Sequence, residues 1–327
     1  MISAGIVFDR IVLAFSGAVP VFAEPVLECM RAEKDFDQTL RRCDQIVQCH
    51  AGWSVLKALE QSQRSGPLLD FAFNTPLFVS VQLSLLELLR SLGLRGYAAL
   101  GISGGEISAA CAAGMIDLPE ALRIACCLPP VLERRARDLR MANIAGSDLQ
   151  LSEMASLLEP GVAIAATTGA TTFSVSGEIE PLQRTLRALQ QLGIRSRPMP
   201  FPWGVHHPSL RDDRACFETR LGALTVAQPY GSVLFCSATE ERPSNAGANH
   251  WWPMVSERVC LDTSIRRLQR NGMNTFVSMG FGNSLKGLIT DLGGIVLPLT
   301  QLILAIRMAH AMPQPDVELF LRASEVP

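Results

Sequence analysis

The sequence has little of several features that would point to particular classes of protein. Only three lysines occur, Lys34, Lys57 and Lys286, and the formal net charge is −2. A chain with a pI near 6.2 has no broad positive field with which to attract nucleic acid, so we expect none as a partner. The 25 glycines and 20 prolines in 327 residues exclude collagen-like and low-complexity chains.

Cysteine is present but lacks the spacing that binds metal. The nine cysteines include no C-x-x-C pair, and most lie in apolar runs such as IACCL and VLFCS. We expect small buried side chains in the reducing cytosol and no metal site.

Two apolar runs resemble membrane signals without meeting their requirements. Residues 11–23 follow Arg10 as in a signal peptide, but Gly17 and Pro20 interrupt the run. Residues 292–306 form a run of about 15 residues, which is too short to span a bilayer. We expect buried strands and helix starts at both places, no membrane contact and a cytoplasmic location.

Strand and helix patterns alternate along the first third of the chain, which indicates an α/β fold. Strands are predicted at 11–15 and 97–102. Pro76 directly before and Gly93 directly after the apolar run 77–92 predict a helix bounded by those two residues.

The middle of the chain has a different order of predicted elements, βαββαβ, which suggests a ferredoxin-like unit. The predicted elements are strands at 141–144, 162–167, 172–176 and 194–199 and helices at 151–158 and 181–192. The β/α pattern then resumes, with strands predicted at 232–236, 274–279 and 295–297. We therefore expect a large domain formed by 1–138 and 200–327 and an inserted small subdomain at 139–199.

A candidate nucleophile lies between the second predicted strand and the helix after it. Gly101-Ile102-Ser103-Gly104-Gly105 matches G-x-S-x-G, in which the glycines let strand and helix approach closely. Such a turn places Ser103 Oγ at the helix N-terminus, where free N–H groups suit a developing oxyanion. An ordinary turn in which the serine caps the helix remains the alternative.

A serine nucleophile needs a base, because its hydroxyl is inert at neutral pH. Of the five histidines, His206 and His207 lie in GVHHPSL, directly after the predicted insertion returns to the main sheet. A base on a loop at the sheet edge is geometrically plausible.

Several segments resemble the malonyl-CoA:ACP transacylase family, which includes the acyltransferase domains of polyketide synthases. GISGGEISAACAAG is similar to its GHSxGE segment, GVHHPSL to the segment with its catalytic His, and HWWPMVSERV and SMGFGNSLKGLI to later segments in the same order. The resemblance implies an α/β-hydrolase-like large domain with an inserted ferredoxin-like small subdomain.

The resemblance also implies a mechanism and its residues. His206 would take the proton of Ser103, which would accept an acyl group from a thioester and pass it to the thiol of an acyl carrier protein. Backbone N–H groups of Gly104 and Ala18 would hold the oxyanion. No bound cofactor is implied; the substrates are phosphopantetheine thioesters, with acyl-CoA or an acylated carrier protein as donor.

Departures from the family pattern bear on which acyl group is used. Leu128 stands where malonyl-transferring members have an Arg, and a buried carboxylate without a partner costs several kcal/mol, roughly. Trp203, Gly204 and Val205 occupy the specificity segment and would suit a neutral, bulky acyl chain, although Trp203 could equally be a core residue. Met254 replaces the Asn or Gln that orients the His, and we include it among the substrate-binding residues.

These departures favour a transferase for non-carboxylated, starter-type acyl groups. Three alternatives remain open: a hydrolase that clears acyl groups from carriers with the same two residues, a malonyl transferase that uses another Arg, and a non-catalytic docking subunit. Arginines near 134–140 and at 195 and 197 form either a docking face for an acidic carrier or an ordinary solvated surface.

Overall fold

The fold belongs to the α/β class, with strands and helices alternating along most of the chain. The structure is a computed structural model that describes residues 10–94, 97–145, 150–169, 171–228, 233–235, 248–282 and 285–311. Its strands are β1 Ile11–Phe15, β2 Ala98–Gly101, β3 Leu139–Ala145, β4 Val162–Thr167, β5 Phe173–Glu178, β6 Arg195–Pro198, β7 Val233–Phe235, β8 Val259–Cys260, β9 Thr275–Ser278 and β10 Ile295–Leu297. Its helices are α1 Ala23–Ala32, α2 Lys34–Ala51, α3 Val55–Ser65, α4 Phe71–Ser91, α5 Gly105–Ala112, α6 Leu118–Ala136, α7 Leu151–Ser156, α8 Ile179–Gln191, the 3-10 helix Pro208–Asp213, α9 Arg214–Leu221, α10 Ala248–Trp251, α11 Pro253–Ser256, α12 Leu261–Arg270, α13 Lys286–Asp291 and α14 Leu299–Ala311.

The large sheet is parallel, with the strand order β10-β9-β1-β2-β7. Its central strand β1 is buried throughout, and its side chains alternate between two cores. Leu13 and Phe15 join the core formed with α2, α4, α5 and α6, whereas Val12 and Ala14 join the core formed with α12 and α13. Burial on both faces explains the continuous apolar run of this strand.

Helix α4 begins before the position that the sequence predicted. The Asp70 carboxylate accepts a hydrogen bond from the N–H of Ala72, so this aspartate caps the helix and Pro76 lies inside it. Near a helix N-terminus a proline removes only one hydrogen bond, and burial of the helix outweighs that loss. The helix ends at Ser91, two residues before Gly93, whose φ is 91°. The predicted end of the helix at Gly93 agrees with this.

The same helix is, among the described residues, the one that is long and apolar enough to cross a membrane by length and composition. Most of its apolar window, 83%, is buried inside the protein, against α2, α5 and α6. Burial of this kind is typical of the core helix of a folded domain.

The second sheet has the order β6-β3-β5-β4-β8. Strands β3 to β6 pair antiparallel and, with α7 and α8, follow the order βαββαβ of the ferredoxin-like subdomain. Helices α7 and α8 cover one face through a separate core that includes Ile144, Val175 and Leu182.

One strand of this sheet was not predicted from the sequence. β8 comes from the chain after the insertion and pairs parallel with β4. The small sheet is therefore completed by residues outside 139–199, and the domain boundaries drawn from the sequence stay a prediction.

Candidate active site

Ser103 lies in the sharp turn between β2 and α5, at the carboxyl edge of the large sheet. Its backbone has a φ of 54°, in the left-handed region that side chains other than glycine rarely adopt. A Cβ added at Gly105 would overlap the carbonyl oxygen of Phe15, and one at Gly101 would lie 2.5 Å from Cα of Glu106. The glycines on both sides thus allow β1, β2 and α5 to meet closely enough to present the Ser103 side chain.

His206 brings its ring to this serine from a distant part of the chain. The distance between Ser103 Oγ and His206 Nε2 is 2.8 Å. On the other side of the ring, Nδ1 lies 2.7 Å from the carbonyl oxygen of Glu257. A carbonyl oxygen only accepts, so Nδ1 carries the proton and donates it, and the lone pair of Nε2 faces the Ser103 hydroxyl.

The environment of His206 keeps the imidazole neutral. Burial lowers the pKa of His206 to about 4, and the hydrogen bond to the Glu257 carbonyl and the charge of Glu257 oppose this shift only in part. At neutral pH the ring is therefore neutral and its Nε2 carries no proton, which is the state that a general base requires.

Glu257, which supplies this carbonyl, also forms an ion pair through its side chain. Arg211 donates from Nε and Nη2 to the two carboxylate oxygens of Glu257, each at 2.7 Å. The N–H of Glu257 donates to the carbonyl of Pro253, and the N–H of His206 donates to the carbonyl of Val255. Glu257 was not predicted from the sequence, because its contact with His206 uses the main-chain carbonyl, which every residue type has.

The two proposed oxyanion donors lie on either side of the serine. Gly104 is the N-cap of α5, where an N–H group has no acceptor within the helix. Ala18 follows Gly17, whose added Cβ would lie 2.8 Å from Ser103 Cβ, so the loop after β1 passes directly beside the nucleophile. The amide of Gln82, on α4, donates to the carbonyl of Ser16 and accepts from Ser108 of α5, which fixes this loop to the helix behind it.

Residues 26–291 match the family described as the acyl transferase domain. This chain belongs to the acyl transferase domain family. The match confirms the resemblance drawn from the sequence.

Relatives and solved structures agree with this assignment. The chain is 27% identical over 282 residues to the spectinabilin polyketide synthase system protein NorA of Streptomyces orinoci, covering 83% of this chain and 14% of NorA. An acyltransferase domain from module 8 of the salinomycin polyketide synthase has a TM-score of 0.81 at 23% identity, over 89% of this chain and 70% of that one. A loading acyltransferase from the avermectin polyketide synthase has a TM-score of 0.78 at 24% identity, over 88% and 93%. These structures establish the fold.

In this acyl transferase domain the second histidine of the pair has a different position. His207 precedes the 3-10 helix Pro208–Asp213, and its Nδ1 accepts a hydrogen bond from the N–H of Ser209. It caps that helix, whereas the neighbouring His206 faces Ser103.

The residues predicted to shape the acyl pocket pack into the core instead. Trp203 is 3% exposed, its indole N–H donates to the carbonyl of Leu69, and its ring meets Phe71 edge to face at 4.8 Å. A Cβ added at Gly204 would lie 2.9 Å from Cβ of Leu139. The glycine therefore allows close packing against β3 and does not open space for a substrate.

Val205, Leu128 and Met254 are likewise buried, and all three belong to the main core cluster. Met254 has no exposed surface, and it does not hold His206, because the Glu257 carbonyl does. In this structure these side chains pack into the core beside the site, and their role toward a substrate stays a prediction.

Two arginines that lie near Leu128 in the sequence form contacts elsewhere. Arg123 donates to the carbonyls of Leu221 and Ala223 at the end of α9. Arg135 forms an ion pair with Asp213 at 2.8 Å. Prolines 129 and 130 leave α6 continuous from Leu118 to Ala136.

Proposed function

We propose that this acyl transferase domain moves a non-carboxylated, starter-type acyl group from a CoA or carrier-protein thioester, through an ester on Ser103, to an acyl carrier protein. The observation that carries the proposal is the contact of Ser103 Oγ with a neutral, buried His206 at 2.8 Å. A serine in a strained turn beside an oriented imidazole is the arrangement that acyl transfer through a covalent intermediate requires.

The reaction consists of two matched halves. His206 Nε2 takes the proton of Ser103 as Oγ attacks the thioester carbonyl carbon. The C–S bond then breaks, the departing sulfur takes the proton from His206, and the acyl group remains as an ester on Ser103. In the second half the acceptor thiol loses its proton to His206 and attacks the ester, and Ser103 leaves with that proton.

The negative charge of each tetrahedral intermediate needs donors that are in place before the reaction begins. The N–H groups of Gly104 and Ala18 supply them in this proposal, one from the start of α5 and one from the loop after β1. Preorganised donors of this kind stabilise a developing oxyanion far more than water would in a site that excludes water.

The preference for an acyl group without a carboxylate rests on α6. At the position of the family arginine this helix carries Leu128, 1% exposed within an apolar cluster. Of the arginines near it in the sequence, Arg123 bonds to the end of α9, Arg135 pairs with Asp213, and Arg134 is exposed on the surface of α6. A malonyl carboxylate bound against Leu128 would lose water without a cation in contact, which disfavours it against acyl groups without a carboxylate.

The carrier protein is the proposed partner, and its phosphopantetheine thiol the acceptor. Arg195 and Arg197 are exposed on β6, at the edge of the small sheet, and Arg137 is exposed at the end of α6. Arg137 also pairs with Glu133, so Arg195 and Arg197 are the charges that would steer an acidic partner in this proposal. A cytoplasmic location, where acyl-CoA is available, is part of this proposal.

Intact-protein mass spectrometry tests the reaction and the acyl group together. The protein is incubated with acetyl-, propionyl- and malonyl-CoA, and a holo acyl carrier protein is then added. We expect an acetyl or propionyl adduct that moves to the carrier. Ser103→Ala should form no adduct, whereas Ser91→Ala, at an exposed position at the end of α4, should behave as wild type.

Other outcomes would select among the alternatives. Free acid released without acylation of the carrier would identify a hydrolase. A malonyl adduct as fast as the acetyl one would overturn the argument from Leu128. Absence of an adduct with every donor, longer acyl-CoA and acylated carrier proteins included, would favour a non-catalytic subunit.

A further inference from the structure

One face of α4 contacts the segments on both sides of the nucleophile. Asn74, Phe78 and Gln82 follow one another at intervals of four residues, so they lie on the same face of this helix. A Cβ added at Gly104 would lie 2.7 Å from Cζ of Phe78, so this ring contacts the residue after Ser103. The other two side chains are amides, and both bond to the loop after β1. The same helix face therefore contacts both segments that carry a proposed oxyanion donor.

The Asn74 side chain, which has no exposed surface, holds the far side of that loop. Its Nδ2 donates to the carbonyl of Val19 at 3.0 Å and to the carbonyl of Leu68, in the segment before α4, at 3.2 Å. Carbonyl oxygens only accept, so the amide nitrogen must face them and the side chain has one orientation. Because Val19 directly follows Ala18, this bond is formed one residue beyond the proposed donor.

The loop has few other hydrogen bonds. On its near side, Gln82 Nε2 donates to the carbonyl of Ser16 at 2.9 Å. Within the described part of the chain, residues 17–20 form no hydrogen bond other than the one with Asn74. Gly17, which has no side chain, leaves the backbone before Ala18 free to turn. Without Asn74, hydrogen bonds would therefore hold the Ala18 N–H from one side only.

We infer that Asn74 is a positioning residue for acyl transfer, which fixes the Ala18 N–H relative to the Gly104 N–H so that both can donate to one oxyanion. This inference rests on the proposed function and deepens it, because it names what holds one of the two donors. Donors stabilise a developing charge most when they are in place before the reaction begins. Asn74 touches no reacting atom, so its loss should slow the chemical step without weakening binding of the substrate.

Two substitutions of Asn74 and one control isolate this role. Asn74→Leu keeps nearly the same shape and donates no hydrogen bond. Asn74→Ser is the milder variant, since a small hydroxyl can still donate to one of the two carbonyls. Ser84→Ala is the control: Ser84 is equally buried on the same helix, and its hydroxyl donates to the carbonyl of Ser80 within α4.

The first readout is the ionisation of a tetrahedral adduct. With trifluoroacetonyl-CoA carrying ¹³C at its carbonyl, Ser103 Oγ bonds to that carbon, the Oγ proton passes to His206, and the carbonyl oxygen becomes an alkoxide. Both other substituents are bonded through carbon and do not leave, so the adduct persists. The ¹³C chemical shift as a function of pH measures the fraction of the adduct that is alkoxide.

We expect Asn74→Leu to shift this equilibrium about tenfold toward the neutral hemiketal, because one donor no longer has a fixed position. Asn74→Ser should shift it less, and Ser84→Ala should leave it unchanged. A general loss of stability would not change the ionisation of an adduct in the folded protein.

The second readout separates the chemical step from binding. By rapid quench, acylation of Ser103 from acetyl-CoA should slow about tenfold in Asn74→Leu. The dissociation constant of acetyl-CoA, measured by calorimetry in the full chain with Ser103→Ala, should change less than about twofold when Asn74→Leu is added.

The outcomes distinguish failure of this inference from failure of the proposed function. An adduct on Ser103 whose alkoxide fraction is the same in both Asn74 variants as in wild type would overturn the role of Asn74 and leave the transferase standing. A loss of acetyl-CoA affinity equal to the loss of rate would do the same. If the wild-type chain forms no adduct, or Ser103→Ala also forms one, Ser103 is not the nucleophile, and the role of Asn74 is overturned with it.

Discussion

Ser103 and His206, whose side chains meet at 2.8 Å, are also the two non-glycine residues in the described part of the chain with a positive φ, 54° and 59°. Backbone strain therefore lies at both ends of the hydrogen bond that would perform the chemistry. A residue other than glycine in this region costs about 1–2 kcal/mol, which the surrounding packing must offset.

The strain at Ser103 can be measured by comparing two substitutions that both remove the hydroxyl. We expect Ser103→Gly to be more stable than Ser103→Ala by about 1 kcal/mol in chemical unfolding, because glycine adopts a positive φ freely. The same pair at Gln45, exposed in the middle of α2, should show the opposite order by a similar amount. Equal stability of the two Ser103 variants would mean that the turn is not strained.

The ion pair of Arg211 with Glu257 should support the rate of acylation from outside the reacting atoms. Removing it with Arg211→Ala frees the segment whose carbonyl orients His206, and we expect acylation of Ser103 to slow roughly tenfold. Arg214→Ala breaks an ion pair of similar exposure, with Glu218 on α9, and should leave the rate unchanged.

A second readout separates positioning by Arg211 from general destabilisation. Without Arg211 the charge of Glu257 acts on His206 unopposed, and that charge raises the pKa of His206. NMR titration of the His206 ring should therefore give a higher pKa in Arg211→Ala than in wild type. An unchanged pKa together with an unchanged rate would remove Arg211 from the mechanism.

The acylation rate should be insensitive to pH across the range in which an ordinary histidine titrates. Because burial lowers the pKa of His206 to about 4, the base stays neutral from about pH 5 upward. Rapid-quench measurements with propionyl-CoA should show a flat profile from pH 5 to 8 and a decline as the pH falls toward 4. A midpoint near 6.5 would show that the ring is solvated in solution.

Folding stability should decrease over a wider acidic range than activity. Burial lowers the pKa of His206 and His250 to about 4, and lowers that of His207 as well. The unfolded chain therefore takes up protons near pH 6.5 while the folded chain resists them, so stability present above pH 6.5 is lost as the pH falls. For His206 the loss is about 3 kcal/mol by pH 4.

Unfolding titrations at pH 7, 5.5 and 4.5 would measure this slope. His206→Gln should make it shallower, whereas Ser91→Ala, exposed at the end of α4, should leave it unchanged. A slope that His206→Gln does not alter would contradict the buried, neutral state of this ring.

Gly105 should tolerate no side chain, although it lies at the start of a helix, where alanine usually stabilises. An added Cβ would collide with the carbonyl oxygen of Phe15 in the central strand, and a backbone atom cannot swing away. We expect Gly105→Ala to lose about 3 kcal/mol of stability or more and to abolish acylation. Gly287→Ala, with open space around it, should be neutral or stabilising by up to about 1 kcal/mol.

Much of the fold was predictable, because strands and helices carry their patterns locally. The predicted strands 11–15 and 295–297 coincide with β1 and β10, and the order βαββαβ of the middle segment is found. The errors have local causes. Pro76 suggested a helix start that Asp70 supplies earlier, and β8 consists of two residues, too few for any periodicity.

The parts of the candidate site that depend on neighbouring residues in the sequence were predictable, and those that depend on distant contacts were less so. The turn at Ser103 follows from five consecutive residues, whereas its partner His206 required resemblance to a family, because composition does not reveal a contact between distant residues. Trp203, Gly204, Val205, Leu128 and Met254 were assigned to substrate from their positions in the family pattern. Their packing in the core could not be predicted, because an apolar pocket wall and an apolar core contain the same residue types. The Glu257 carbonyl could not be predicted, since every residue has one.

The pairing of β8 with β4 means that the ferredoxin-like unit is not a detachable module. Glu257 lies just before β8, and Thr167 at the end of β4 donates a further hydrogen bond to Asp262 at the start of α12. An engineer who excised residues 139–199 and closed the gap would leave β8, and Glu257 just before it, without the strand that pairs with β8. Ser103 and His206 would both remain in the chain. Grafting the small unit from one such enzyme onto another would accordingly have to carry the segment 257–262 along with it.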